Sequence, residues 1–167
     1  CCGNAQWKPC NTGLNGADIN ALTVIDSTIF AGTLGRGVYC STDKGETWTE
    51  KNSGLGNQFV YGLASSGNNL YAATNQGGIY VSLDKGDTWV KSPKSPWASY
   101  ITVYKNRILA ADNEYVSIST DSGATWKSIR IAGINFDAYI TSLYATDTKI
   151  FAGTRYRSVD DGKTWGQ

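Results

Sequence analysis

The sequence predicts an all-β fold built from four similar units, and three observations support this prediction. A polar octapeptide with the pattern Ser-x-Asp-x-Gly-x-Thr-Trp occurs four times. The tryptophans that end its copies lie 41, 37 and 39 residues apart. The chain of 167 residues contains 19 Gly, 10 Tyr and 3 Pro, a composition typical of short strands and tight turns.

The octapeptide keeps five positions unchanged in all of its copies. These positions are Ser41, Asp43, Gly45, Thr47 and Trp48; Ser82, Asp84, Gly86, Thr88 and Trp89; Ser119, Asp121, Gly123, Thr125 and Trp126; and Ser158, Asp160, Gly162, Thr164 and Trp165. A period of about 40 residues indicates that each unit is one supersecondary element.

Each unit also shows the same succession of short apolar segments. An inner strand is followed by a second strand that starts at Ile29, Leu70, Ile108 or Ile150 and contains two small residues. A third strand leads into the octapeptide, and a fourth starts at its Thr-Trp pair. Four short antiparallel strands per unit are typical of one blade of a β-propeller.

We therefore predict a single small propeller domain over residues 1–167, with four four-stranded antiparallel blades and one octapeptide hairpin in each. The predicted parts are an N-terminal segment with an extra strand, 1–17, and blades at approximately 18–52, 58–92, 98–130 and 138–167.

The octapeptide resembles the Asp-box, or BNR repeat, of sialidases and other propellers, including the Ycf48-like photosystem assembly factors. The resemblance implies a structural hairpin at the periphery of each blade. Its Asp is expected to accept hydrogen bonds from turn amides, and its Gly to adopt a positive φ. Its Trp is expected to cover the hairpin and donate the indole N–H to a backbone carbonyl.

Two ways of closing the propeller are compatible with four units. One chain closes on itself as a four-bladed ring, which we favour, or two chains pair their open ends into an eight-bladed ring. Trp7 lies 41 residues before Trp48, so the period extends backwards into the N-terminal segment. That segment is expected to pair with the last blade, within one chain or between chains, and the second option makes Trp7 an assembly residue.

Four cysteines, Cys1, Cys2, Cys10 and Cys40, are predicted to form disulfides. The sequence has no His and no Cys-x-x-Cys pair, so the usual zinc patterns are missing and no metal site is predicted. Adjacent cysteines pair poorly within a short span, which favours disulfides between chains. The alternative is a pair between Cys10 and Cys40 in one chain.

The expected location is secreted or at the cell surface. The chain opens on Cys1 rather than Met, as after removal of a signal segment, and a lipid anchor on Cys1 is the alternative. It lacks an apolar run of about 18 to 20 residues, which a membrane span needs. With 15 basic and 14 acidic side chains and no block of like charge, no nucleic-acid partner is predicted.

No enzymatic activity and no cofactor are predicted. A sialidase needs an arginine cluster for the substrate carboxylate and a tyrosine nucleophile with a carboxylate partner. None of the five arginines lies in the Arg-Ile-Pro context of those enzymes; they are Arg36, Arg107, Arg130, Arg155 and Arg157. The resemblance therefore transfers no catalytic residue.

The predicted function is that of a structural subunit of an extracellular polymer, which self-associates through its N-terminal strand and cysteines. The first alternative is a carbohydrate-binding propeller, because propeller faces bind sugars through aromatic platforms. Trp97 and Tyr100 are the candidate contacts for a glycan or another subunit. A fragment of a sialidase-like glycosidase is the weaker alternative.

Overall fold

The structure is a computed structural model that describes residues 9–131 and 140–166, and these residues form fifteen β-strands and no helix. The prediction of an all-β fold is confirmed. The strands are β1 (Ile19–Ile25), β2 (Thr28–Thr33), β3 (Gly37–Ser41), β4 (Thr49–Glu50), β5 (Val60–Ser66), β6 (Asn69–Thr74), β7 (Gly78–Ser82), β8 (Val90–Lys91), β9 (Tyr100–Tyr104), β10 (Arg107–Asp112), β11 (Tyr115–Ser119), β12 (Lys127–Arg130), β13 (Leu143–Ala145), β14 (Ile150–Ala152) and β15 (Tyr156–Ser158).

The strands form four antiparallel sheets, each made of strands that follow one another in the chain. The first sheet is β1-β2-β3-β4, the second β5-β6-β7-β8, the third β9-β10-β11-β12 and the fourth β13-β14-β15. The predicted last strand of the fourth unit is represented by one bridge, between Arg157 and Gly166.

Strand direction divides each sheet into two ends. Turns between the first and second strands, and between the third and fourth, lie at one end, which carries the octapeptides and which we call the hairpin end. Turns between the second and third strands lie at the other end, the loop end, beside the connections to the next sheet. The amide of Gly35 donates to the carbonyl of Gln58 at 3.0 Å and joins these two kinds of loop.

The sheets pack face to face in series, and three apolar clusters fill the spaces between them. The first cluster contains Phe30, Val38 and Cys40 of the first sheet with Leu63, Leu70 and Ala72 of the second. The second contains Tyr71, Ala73 and Ile79 of the second sheet with Ile101, Ile108 and Ala110 of the third. The last contains Tyr104, Leu109 and Val116 of the third sheet with Ile150 and Ala152 of the fourth, and Ile140, which precedes the fourth sheet.

Small residues in the second strands permit this close packing. A Cβ added to Gly32 would lie 2.6 Å from Cγ1 of Val60, on the first strand of the next sheet. Val60 is fully buried and β-branched, so it has little freedom to move away. In the sequence, the pair of small residues in each second strand indicates where this close approach between neighbouring sheets occurs.

The outer faces of the terminal sheets carry exposed apolar side chains. Leu22 on β1 is 60% exposed, whereas Leu63, at the equivalent position on β5, is 7% exposed because it packs against the first sheet. Phe151 of the fourth sheet is 37% exposed, whereas its counterpart Phe30 is 1% exposed. No apolar cluster joins the fourth sheet to the first within the described part of the chain, so these sheets do not form the closed four-bladed ring that we favoured from the sequence.

We expect Gly32→Ala to lower the free energy of unfolding by about 1–3 kcal/mol, the usual effect of overpacking, because the new methyl group collides with Val60. Urea denaturation followed by tryptophan fluorescence measures this change. Gly166→Ala is the matched control, since a Cβ at Gly166 meets nothing within 4 Å. Equal stability of the two variants would contradict the close approach.

Candidate functional site

The four octapeptides form hairpins with the same hydrogen bonds in every sheet. In the first, the Ser41 hydroxyl donates to Oδ1 of Asp43 at 2.8 Å and accepts from the amide of Gly45 at 2.8 Å. The amide and hydroxyl of Thr47 donate to the two oxygens of Asp43, at 2.9 and 2.5 Å. The same set recurs around Asp84, Asp121 and Asp160.

The hairpin turn requires a left-handed backbone at its glycine. Gly45 has φ 95°, and the residue before it, Lys44, has φ 63°. The other octapeptide glycines also have positive φ, as expected from the sequence. Glycine adopts this conformation without the steric cost that other residues bear.

These hydrogen bonds hold the carboxylates in the ionised state. Bonds from the Thr47 hydroxyl, the Thr47 amide and the Ser41 hydroxyl lower the pKa of Asp43 to about 2. The pKa values of Asp84, Asp121 and Asp160 are lowered to about 2 for the same reasons. A carboxyl group with this pKa is ionised at neutral pH and has no proton to donate as a general acid.

The tryptophan of each octapeptide contacts the chain outside its own turn or caps the turn itself. The indole N–H of Trp89 donates to the carbonyl of Lys51, in the preceding unit, at 2.8 Å. Trp126 donates to the hydroxyl of Ser92 in the preceding unit at 2.8 Å, a side-chain acceptor that the sequence did not predict. Trp165 donates to the carbonyl of Gly162 within its own hairpin at 3.2 Å.

The N-terminal segment takes the place of a preceding unit for the first sheet. The indole N–H of Trp48 donates to the carbonyl of Cys10 at 3.0 Å, and the Trp48 amide donates to the carbonyl of Thr12 at 2.9 Å. The Trp89 amide makes the equivalent bond to Ser53 at 2.8 Å. A Cβ added to Gly13 or to Gly54 would lie at the same short distance from the carbonyl oxygen of Trp48 or Trp89, respectively. Both segments therefore dock in the same way.

Three of the predicted assembly residues, Cys1, Cys2 and Trp7, lie outside the described residues. Of the other cysteines, Cys10 is exposed and Cys40 is buried with a free thiol. Cys40 packs in the cluster between the first two sheets, and burial raises the pKa of its thiol. A disulfide at Cys40 is therefore absent from the described structure, where this side chain contributes to the core instead.

Two adjacent clefts lie at the loop end of the second and third sheets. The larger has a volume of about 560 Å³ and is bounded by Trp97, Asp112, Glu114 and Tyr115. The smaller, of about 220 Å³, also contains Trp97 and Asp112 and extends to Tyr61, Asn75 and Gln76. We call the two clefts together the Trp97 groove.

The two aromatic residues predicted as ligand or subunit contacts have different surroundings. Trp97 is 67% exposed and lines both clefts. Tyr100 is half-buried and packs against the cluster between the third and fourth sheets. Sequence reasoning missed Asp112 and Gln76 as groove residues, although Asp112 ends the second strand of its unit and Gln76 follows two residues after the end of the second strand of its own.

A comparison with known families identifies the chain. The sequence profile of the DUF6242 beta propeller domain matches residues 3–98. The chain belongs to the DUF6242 beta propeller domain family. No curated protein sequence is similar enough to this DUF6242 chain to count as a match.

Solved structures share the fold of this DUF6242 chain at low sequence identity. An ancestral GH74 enzyme is 19% identical over 98% of this chain and 25% of its own, with a TM-score of 0.76. YCF48 bound to D1 peptide is 18% identical over 92% of this chain and 56% of its own, with a TM-score of 0.71.

The extracellular domain of a one component system from B. thetaiotaomicron is a further structural neighbour. It is 16% identical over 90% of this chain and 22% of its own, with a TM-score of 0.67. This DUF6242 chain thus spans from about a fifth to just over half of these three proteins. The neighbours include an enzyme and a peptide-bound protein, so the shared fold does not decide between activities. Within residues 9–131 and 140–166 there is no helix with the length and apolar character needed to cross a membrane.

We expect the free energy of unfolding to fall as the pH is lowered from about 4 to about 2. The octapeptide aspartates have folded pKa values of about 2, below the value of about 3.9 of an unfolded chain. The unfolded state therefore binds more protons in this window, and the stability present above it is lost as the pH falls.

Urea denaturation between about pH 5 and pH 2 measures this dependence. Asp121→Asn should show a smaller loss of stability across the window than the wild type. Asp18→Asn is the control, because Asp18 is exposed and lies outside the octapeptides. An unchanged slope in the Asp121 variant would contradict the role of the hairpin carboxylates.

Proposed function

We propose that this chain is a non-enzymatic assembly subunit of an extracellular structure, in which the first sheet of one copy packs on the fourth sheet of another. The observation that carries the proposal is the exposure of Leu22 and Phe151. The equivalent residues Leu63 and Phe30 are buried where the first two sheets meet inside the chain. Exposed apolar faces of this kind are typical of interaction surfaces.

The exposed face of the first sheet and the exposed face of the fourth sheet carry apolar residues at the same positions as two sheets that pack together inside the chain. Within the chain, the Leu63 face of the second sheet covers the Phe30 face of the first. Leu22 occupies the position of Leu63, and Phe151 occupies that of Phe30. A contact between copies therefore repeats an existing packing arrangement, and burying each such side chain contributes about 1.5–3 kcal/mol.

The assembly joins the copies head to tail. If the first sheet of each of two copies packs on the fourth sheet of the other, the two copies form a closed ring of eight sheets. If the contact instead continues from copy to copy without closing, the copies form a filament. In both arrangements each sheet is one propeller blade, and each octapeptide hairpin is an Asp-box. The fourth sheet ends on β15, whose edge has one bridge to Gly166 and is open to strand addition by an N-terminal segment.

Two further observations support the non-enzymatic and extracellular parts of the proposal. The hairpin aspartates are held as ionised acceptors by neighbouring hydroxyl and amide groups, which suits a structural role. A similar fold occurs in the extracellular domain from B. thetaiotaomicron. The four cysteines of the sequence suit an oxidising compartment.

We expect Leu22→Asp to abolish self-association, because a carboxylate on the open face cannot be buried without a partner charge. Sedimentation velocity of the wild type should show a dimer or a larger species, and the variant should be a monomer. Leu83→Asp is the matched control, since Leu83 is 66% exposed but follows the octapeptide serine at a hairpin tip.

A wild-type chain that remains monomeric at high micromolar concentration would overturn the proposal. Equal association of the Leu22 and Leu83 variants would also overturn it. Thermal denaturation of both variants shows that each remains folded, so a loss of association is not caused by unfolding.

We also expect disulfides between chains at Cys1 or Cys2 in the native material. Non-reducing electrophoresis should show a ladder of species that collapses to the monomer on addition of thiol. Replacing both residues by Ser should remove the ladder while the apolar contact still gives the oligomer in solution. A monomer band in both gels would exclude covalent linkage.

A further inference from the structure

The Trp97 groove combines an exposed aromatic surface with polar groups. Ala98 is buried, and the amide of Ser99 donates to the carbonyl of Ala111 on β10 at 3.0 Å. The backbone beside Trp97 is thus anchored although the indole itself is exposed. Because this backbone is already ordered, less of the chain has to be ordered when a ligand stacks on the indole, which reduces the entropic cost of binding.

We infer that the Trp97 groove is a binding site for a neutral oligosaccharide. The C–H faces of a sugar ring are apolar and pack against aromatic rings, while its hydroxyl groups need donors and acceptors at the ring edge. Trp97 and Tyr115, both substantially exposed, provide the aromatic surfaces. Asp112 lines both clefts and provides carboxylate acceptors in each.

The amide groups of the groove supply the donors that a carboxylate lacks. Asn75 and Gln76 line the smaller cleft, and Asn113 lines the larger one. An amide both donates and accepts hydrogen bonds, as a sugar hydroxyl does. In small-molecule sites, polar groups beside an aromatic surface fix the orientation of the ligand.

The charges in the groove favour a neutral ligand over an acidic one. Asp112 and Glu114 are both acidic, and Arg130 donates from Nε to Oε2 of Glu114 at 2.7 Å. A sugar carboxylate would meet two carboxylates and an arginine that is already engaged, and like charges in close contact repel. The groove is therefore unsuited to sialic acids and uronic acids.

The size of the groove indicates that the ligand has more than one sugar ring. The larger cleft, of about 560 Å³, falls in the range of about 300–1,000 Å³ typical of ligand sites. The smaller cleft adjoins it and shares Trp97 and Asp112. A short chain that crosses the indole, with one ring in each cleft, uses both parts.

The test uses the full chain, a glycan array that contains neutral and acidic oligosaccharides, and calorimetry with the array ligands. We expect binding to neutral tetrasaccharides and not to oligogalacturonate or sialosides. Trp97→Ala should weaken binding by about tenfold or more, since loss of one aromatic contact costs at least about 1.4 kcal/mol. Asp112→Asn should also weaken it, whereas Leu83→Ala, at the hairpin end, should leave it unchanged.

Several outcomes would overturn the inference. They are binding of acidic glycans as tightly as neutral ones, no binding of any neutral glycan, unchanged affinity in Trp97→Ala, and a Trp97→Ala variant that loses self-association. The last outcome would assign Trp97 to a contact between subunits. Binding to an unrelated extended peptide with Trp97-dependent affinity, without glycan binding, would assign the groove to peptide recognition.

The same measurements on Leu22→Asp separate this inference from the proposed assembly function. Leu22 lies on the open face of the first sheet, whereas the groove belongs to the second and third sheets. We expect the monomeric variant to retain the glycan affinity of the wild type. Failure of assembly with intact glycan binding would then overturn only the assembly proposal.

Discussion

A short sheet with apolar side chains on both faces has two surfaces to remove from water, and in this chain a neighbouring sheet covers them. The three internal clusters each combine the second face of one sheet with the first face of the next. This packing of sheet on sheet explains the small residues of the second strands, because neighbouring backbones approach closely only where the side chains between them are small. It also explains why Leu22 and Phe151, at the two ends of the series, are left exposed.

The hairpin end and the loop end of the sheets differ in what their side chains do. At the hairpin end, repeated carboxylates and tryptophans fix each turn and connect it to the preceding unit, so side-chain chemistry there is used for structure. At the loop end, the turns carry different residues in each unit, and the Trp97 groove arises from residues of two units. Function that varies between propellers is more easily carried by loops on a constant scaffold.

The sequence predicted the part of the structure that repeats. Local chemistry that recurs in each unit determines three features: the geometry of the octapeptide, the positive φ of Gly45 and the second strand that contains Ala72. Ring closure was not predictable in the same way, because it depends on the angle between packed sheets rather than on a local pattern. The groove was only partly foreseen: Trp97 is distinctive in an otherwise polar connection, whereas Asp112 becomes a groove residue only when two units are side by side.

The most direct test of the account is electron cryomicroscopy of the assembled protein at a resolution that traces the strands. We predict that the first sheet of one copy lies against the fourth sheet of another, with Leu22 and Phe151 buried in the contact. An image in which one chain closes on itself, or in which both faces remain open to solvent in the native particle, would contradict the proposal that sheet packing continues from copy to copy.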